Sequence, residues 1–361
     1  MIYKRNVIFG AQSFACGAYR AIKDLYPESR VECFLVTKTE GNPGSLCGLP
    51  VETVEAFASK LSGSEKMECR VIVATPEDLF PEIVVVLNAF GFSNIECLDS
   101  RKDSALMEKY YEKCGLFKSL RKLPKGDMAI EPQVYQVKFY KDKAIKHDYA
   151  IPKWCVPLQV GAALTDIRVA SETDNTGENI SCKNPNYCEL TALYWMWKNK
   201  ILCMSDDSYM GMFHYRRLLD VSEEDLYRFR ANDVDVVLPY PTIHENGICM
   251  HHTRYVKEAD WQVMLQALAE RQPKYAEAYE QIFLQPYFYN YSIMIAKKSV
   301  LEDYFRWLFS ILERTEELSV PKEWERSDRY LAYMGESLTT LYFMYHAKDL
   351  NIVHAGRIML T

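Results

Sequence analysis

Short apolar runs alternate with segments of helical period along this chain, a Leu-Pro-Lys-Gly break precedes Asp127, and a second alternation begins at Val134. These three observations predict an α/β protein in two parts. The first is a small N-terminal Rossmann-like parallel sheet over residues 1–126. The second is a larger α/β domain over residues 127–361.

In the first part, residues 6–10 (NVIFG) read as a buried strand running into a turn, and residues 11–25 as a helix with Ala15, Ala18, Ala21, Ile22 and Leu25 on its apolar side. Strands are expected at 31–36 (VECFLV), 71–74 and 95–98, and helices at 51–61 and 81–90. Gly41, Pro43, Gly44, Gly48 and Pro50 punctuate a loop. The charged stretch 101–125 reads as a helix followed by a linker. In the second part, strands are expected at 134–139, 209–213, 234–238, 291–296 (YSIMIA) and 351–354. Helices are expected at 187–198, opened by Asn-Pro, and at 260–270, 300–312 and 329–346.

Composition removes several function classes. At 48% hydrophobic and 25% charged residues, the chain is neither disordered nor fibrous. A formal charge of -6 provides no basic field for nucleic acid, so no nucleic-acid partner is expected. Eleven cysteines with no CxxC spacing fit free thiols in a reducing cytosol, and no metal site. Residues 1–9 lack a signal-peptide core, and no run spans a bilayer. The expected location is therefore cytoplasmic, with any membrane association peripheral, at the inner face.

Two regions carry candidate chemistry. The turn from Gly10 to Gly17 after the first strand could rest a nucleotide phosphate on a helix N-terminus, with Gly10 and Gly17 as cofactor-binding positions. It lacks the full glycine fingerprint, and a docking module is the alternative. The second region runs from Asp174 to Arg217. Glu189 sits among apolar neighbours where a helix opens and could orient a substrate hydroxyl. His214-Tyr215-Arg216-Arg217 follows an apolar strand, where ligands of α/β sheets bind, and arginine forks suit diphosphate oxygens. A solvated arginine pair is the alternative. Trp195 and Trp197 read as core.

The blocks DNTGENIS (174–181), NPNYCELTALYWMWKN (184–199) and GMFHYRRLL (211–219) resemble the signature of a bacterial capsular and exopolysaccharide glycosyltransferase family formerly known as a domain of unknown function. The resemblance extends from about residue 134 to the C-terminus. It implies a GT-A-like fold that moves a sugar from a nucleotide-sugar donor, a UDP-sugar in the first instance, to a glycan or lipid-linked acceptor. The candidate substrate contacts are Asp174, Asn179, Ser181, Asn184, Glu189, Tyr215, Arg217 and Ser292, and the candidate catalytic residues are Glu336, Arg216 and His214. Glu336 is the candidate base, and a helix-surface acid is its alternative. Asp174 is equally readable as a turn former. The sequence departs from the family pattern at Phe139-Tyr140, at Ser292 and around Glu336-Ser337. A non-catalytic sugar-nucleotide-binding protein is therefore the competing expectation. The Asp-x-Asp of Asp233 and Asp235 precedes its strand, the wrong end for a donor-bound cation, and His251-His252 diverge on one element. Metal dependence is thus doubtful, and cationic side chains are expected to steady the leaving diphosphate.

Overall fold

A computed structural model describes residues 5–146 and 149–361 of the chain. Residues 1–4, part of the segment read above for a leader, lie outside the described residues. Two compact units emerge, one of residues 1–117, 240–246 and 361, the other of residues 118–239 and 247–360.

The first unit is a doubly wound sheet. Its elements are β1 (Arg5–Phe9), α1 (Ser13–Leu25), β2 (Val31–Val36), β3 (Ser45–Leu46), β4 (Leu49–Thr53), α2 (Val54–Ala58), α3 (Gly63–Glu68), β5 (Cys69–Val73), α4 (Phe80–Ala89), β6 (Asn94–Cys97) and α5 (Ser100–Cys114). The strand order is β3-β4-β2-β1-β5-β6, and all neighbours are parallel except the β3–β4 hairpin. Val7, Phe9, Leu35, Val71 and Val73 form the core with Phe57 and Leu87 from the helices and Phe92 from the loop after α4. The helix expected over 51–61 begins instead as strand β4, because Val51 and Thr53 extend the ladder beside β2. Only then does Thr53 cap the short helix α2, accepting from the Ala56 amide at 3.2 Å.

Both glycines of the expected nucleotide turn have packing reasons. A Cβ on Gly10, whose φ is +124°, would lie 2.6 Å from the Ala74 carbonyl oxygen. Gly17 lies inside α1 rather than at its N-terminus and faces Met107 of α5, whose sulfur would be 3.6 Å from an added Cβ.

The second unit is also a layered α/β structure. Its elements are β7 (Gln133–Lys138), β8 (Cys155–Gln159), β9 (Glu172–Thr173), α6 (Asn184–Tyr187), α7 (Leu190–Asn199), β10 (Tyr209–His214), β11 (Arg217–Leu219), α8 (Leu226–Ala231), β12 (Val236–Pro239), α9 (Glu258–Arg271), α10 (Pro273–Leu284), a strand at Met294–Lys297, α11 (Lys298–Leu318), α12 (Tyr330–Tyr345), and strands at Ile352–Ala355 and Arg357–Met359. From one edge, the sheet runs Ile352–Ala355, β12, Met294–Lys297, β10, β7, β8 and β9. Met294–Lys297 alone on this path is antiparallel to its neighbours. Phe213, Leu218, Phe229, Val237, Ile295 and Val353 are buried in its core. The mixed α/β class with largely parallel sheets is therefore as the sequence predicts.

Local departures have physical reasons. The single helix expected at 187–198 is broken at Cys188, whose φ of +48° no α-helix accepts, so Glu189 caps a second helix. The YSIMIA strand starts late, at Met294, since Tyr291 and Ser292 are left-handed, with φ of +74° and +48°. β8, which carries Pro157, is a strand beyond those expected. α10 buries only Phe283 fully, too thin an apolar stripe to signal a helix.

One buried carboxylate organises the segment that carries the longest sequence blocks. Asp174 is wholly enclosed. It accepts from the Gly161 amide at 3.0 Å, the Ala162 amide at 3.1 Å, the Ser181 hydroxyl at 2.5 Å and the Thr191 hydroxyl at 2.7 Å. It therefore ties the loop after β8 to the 181–183 turn and to α7. Replacing Asp174 with alanine orphans these donors together, so urea denaturation of Asp174→Ala should show a loss of about 3 kcal/mol or more. A loss under about 1 kcal/mol would refute this hub.

Candidate active site

The site grows from the tip of β10. Gly211 permits this strand to approach Met294–Lys297 closely, since an added Cβ would sit 2.4 Å from the Met294 carbonyl oxygen. At its carboxyl end, His214 pairs with Arg217 across a two-residue turn made by Tyr215 and Arg216. The turn is fixed from both sides. The Gln136 amide donates to the Tyr215 carbonyl at 2.8 Å, and the Leu360 amide to that of Arg216 at 2.8 Å. Directly opposed residues share a sheet face, so His214 and Arg217 project together while Phe213 and Leu218 enter the core on the other side.

Three further segments close on that face. Glu189 stands at the head of α7. Glu336 lies in α12, next to Gly335, where an added Cβ would be 2.6 Å from Leu190 Cδ1. The absent side chain thus lets α12 pack against the first residue of α7. Arg329 precedes α12, and its Nε–H donates to the Cys188 sulfur at 3.1 Å. Among the described residues, eight non-glycines have positive φ, and Cys188, Tyr291, Ser292 and Arg329 are four of them. Each such residue costs on the order of 1–3 kcal/mol, and gathering at one place is a mark of functional sites.

The electrostatics are unbalanced in a specific way. His214 Nε2 lies 3.6 Å from Glu189 Oε1, with the two side chains only 13% and 10% exposed. Burial lowers the His214 pKa, and Arg217 and Arg329 lower it further, against Glu189 and a hydrogen bond to the Tyr291 backbone, which raise it. The imidazole is therefore neutral. Its Nε2 has no hydrogen-bond partner among the described residues, so the Tyr291 bond uses Nδ1 and leaves a buried acceptor. Burial, with Glu189 adding to it, pushes the Glu336 carboxyl up to about 8, although Arg217, Arg329 and the Tyr291 backbone pull it down. The Tyr291 ring lies 4.3 Å from the Arg217 guanidinium carbon and 5.8 Å from that of Arg357. A buried acceptor, a carboxyl titrating near 8 and two guanidinium groups suit a hydroxyl to be deprotonated and an anion to be held.

Of the positions singled out in the sequence, the structure brings His214, Arg217, Glu189 and Glu336 together. Ser292 adjoins them, its hydroxyl 3.2 Å from that of Thr339 one turn along α12 from Glu336. Arg216 and Tyr215 stay in the turn, the guanidinium carbon 5.6 Å from the ring centre. Arg216 also faces Asp142, whose carboxyl burial pushes up to about 6, with the Phe139 amide and Arg216 opposing. Asp174 and Ser181 are consumed by the loop hub. Asn179 accepts from the Ser181 amide at 3.2 Å, and Asn184 donates to the Cys188 carbonyl at 2.8 Å. Their recorded bonds thus go to the loops around them and to the start of α7. Gly10 and Gly17 lie in the other unit. Cys188, Tyr291 and Arg329 escaped sequence reasoning, since backbone strain at such residue types leaves no pattern.

Asp233 and Asp235 are both bonded to Lys297, at 2.5 and 2.8 Å, and Asp235 also accepts from the Asn351 amide at 2.8 Å. This Asp-x-Asp therefore does not fit a donor-bound cation. The two histidines diverge. His252 stacks on Trp261 at 4.2 Å, whereas His251 packs on Phe288 at 4.3 Å. Among the described residues, no group of three or more histidine, cysteine or acidic side chains is placed to hold a metal ion.

Comparison with known proteins gives this geometry a family. No curated protein matches the chain. Among solved structures, the apo form of the bifunctional glycosyltransferase WbbM is 26% identical over 65% of this chain, with a TM-score of 0.53. The match spans 46% of WbbM, less than half of that protein. Core-mannan synthase A (CmsA/Ktr4) from Aspergillus fumigatus, in an Mn/GDP form, also matches, at 9% identity over 92% of this chain and 68% of that one. Its TM-score of 0.19 is too low to carry an argument. The model of a domain of unknown function, DUF4422, matches residues 139–348, which contain His214, Arg217, Glu189, Glu336, Tyr291 and Arg329. The chain belongs to the DUF4422 family.

Proposed function

We propose that the second unit is a GT-A-like glycosyltransferase, taking a sugar from a nucleotide-sugar donor to a glycan or lipid-linked acceptor. One observation carries this reading: the tip of β10 gathers an unpartnered imidazole nitrogen, a carboxyl titrating near 8 and two guanidinium groups. The likeness to WbbM supports it. A UDP-sugar is the first donor to try, and cell-surface polysaccharide assembly in a bacterial cytoplasm is the setting the sequence blocks suggest. No helix among the described residues is long and apolar enough to cross a membrane, and the proposed acceptor would be met peripherally. The first unit is proposed as a docking or nucleotide-binding module.

In the proposed step, the acceptor hydroxyl oxygen attacks the anomeric carbon as the bond to the diphosphate breaks. The hydroxyl proton passes to the Glu336 carboxylate. With a pKa near 8 this is a stronger base than an ordinary carboxylate, and it is ionised in a minor fraction of molecules at neutral pH. His214 Nε2 accepts a sugar hydroxyl between itself and Glu189. Arg217 and Arg329 take the charge growing on the departing diphosphate, and Arg216 stands at the rim. The chemistry required of a metal elsewhere is here assigned to fixed guanidinium groups.

Sugar transfer by purified protein, followed by donor consumption against an acceptor panel, tests this. Arg217→Ala should lower kcat about 10²–10³-fold, and an unchanged kcat would remove Arg217 from the site. Glu336→Gln should lower kcat about 10²–10⁴-fold. In the unaltered protein kcat/KM should climb with pH until about 8, and a profile flat from pH 6 to 9 would contradict the base assignment.

Glu336 also links stability to pH. Its folded pKa lies above the unfolded value of about 4.3, so the folded state binds the extra proton between the two. The resulting stability is complete below the unfolded pKa and is lost as pH rises through about 8. In urea denaturation Glu336→Gln should therefore gain on the unaltered protein between pH 5.5 and 8.5. A gap that does not widen over that range would show that the carboxyl is not buried as described.

A further inference from the structure

Eleven cysteines are free, and two of them meet within the first unit, which does not carry the site of β10. Cys16 is buried in the opening turns of α1, and Cys47 is half-buried between β3 and β4. Their sulfur atoms are 3.2 Å apart. Cys47 and Gly48 both have positive φ, +52° and +78°, between the paired Leu46 and Leu49. This is the tight hairpin turn whose first central position asparagine or glycine fills with least strain. The turn therefore gives no reason for a cysteine, whereas the facing thiol does. Arg20, one turn beyond Cys16, interacts with both sulfurs and hydrogen-bonds Cys47. The two thiols are unequal. The hydrogen bond from Cys16, helped by Arg20, lowers the Cys47 pKa against burial and Glu245, while that same bond and burial raise Cys16.

We propose that Cys16 and Cys47 form a peroxide-responsive dithiol that closes to a disulfide. The Cys47 thiolate attacks one oxygen of hydrogen peroxide. The O–O bond breaks, Cys47 becomes a sulfenic acid, and the released hydroxide takes the Cys47 proton as water. Cys16 then attacks the Cys47 sulfur. The S–O bond breaks, a second water carries off the Cys16 proton, and the disulfide is left. Both thiols are oxidised and the peroxide is reduced. The closed form ties the start of α1 to the β3–β4 turn, a bridge between positions 31 residues apart. A disulfide reductant reverses it. This proposal does not depend on the glycosyltransferase reading.

The test uses the full chain, reduced, desalted and exposed to a few equivalents of hydrogen peroxide. Free thiols are then alkylated, and the protein is digested without reduction for mass spectrometry. The main disulfide product should be the Cys16–Cys47 peptide pair, the thiols counted in denaturant should fall by two, and dithiothreitol should restore both. In Cys16→Ser, dimedone should label Cys47. In Cys47→Ser, Cys16 should remain a thiol at that dose. Recovery of both cysteines alkylated while other thiols oxidise would overturn the proposal, as would dimedone on Cys16 in Cys47→Ser. The result from the unaltered protein stands even if a variant misfolds.

Discussion

Glu189 and Glu336 are held in a largely enclosed space with His214, and everything proposed for the second unit follows from that crowding. Loss of water, with the charge on Glu189 adding to it, makes ionisation of Glu336 unfavourable until about pH 8. Two arginines face the pair, and Arg217 and Arg329 both act on His214 and on Glu336. The imidazole, kept neutral, is left with an acceptor that no group among the described residues satisfies. Buried polar atoms in native structures rarely lack partners, so an orphan of this kind inside a charged cluster marks a place for a ligand hydroxyl.

Ordinary packing holds this arrangement in place. The Gly335–Leu190 contact sets α12 against α7, and with it one carboxyl near the other. The Asp174 hub fixes Thr191 and so the head of α7 from the opposite side. Left-handed residues at Cys188, Tyr291 and Arg329 turn the chain where regular elements would have carried these groups apart.

The alternation of apolar runs made the central strands of both sheets readable from the sequence, because strands buried on two faces are plainly hydrophobic. β4 was not readable, since its residues are only half-buried and carry a proline. Within the site, His214, Arg217 and Glu189 stood out as polar residues beside apolar runs, and Glu336 as the acid kept after Gly335 in the family pattern. The choice between Arg216 and Arg217 needed the hairpin register, which pairs Arg217, not Arg216, with His214. Asp174 showed itself as a turn former. That it is fully buried among four donors is a tertiary fact, with partners 7 to 17 residues away. Arg329 and Tyr291 had no signal at all, because their roles depend on φ values that their residue types do not favour.

The protonation state of Glu336 is the most direct handle on this account. A carboxyl-carbon NMR titration of protein carrying labelled glutamate, with the Glu336 resonance assigned by its absence from a glutamine variant, reads that state without any substrate. The crowded site described here places the midpoint near 8. A midpoint near 4.3, the value of a glutamate in water, would mean that the cluster is open and that Glu189 and Glu336 do not share it.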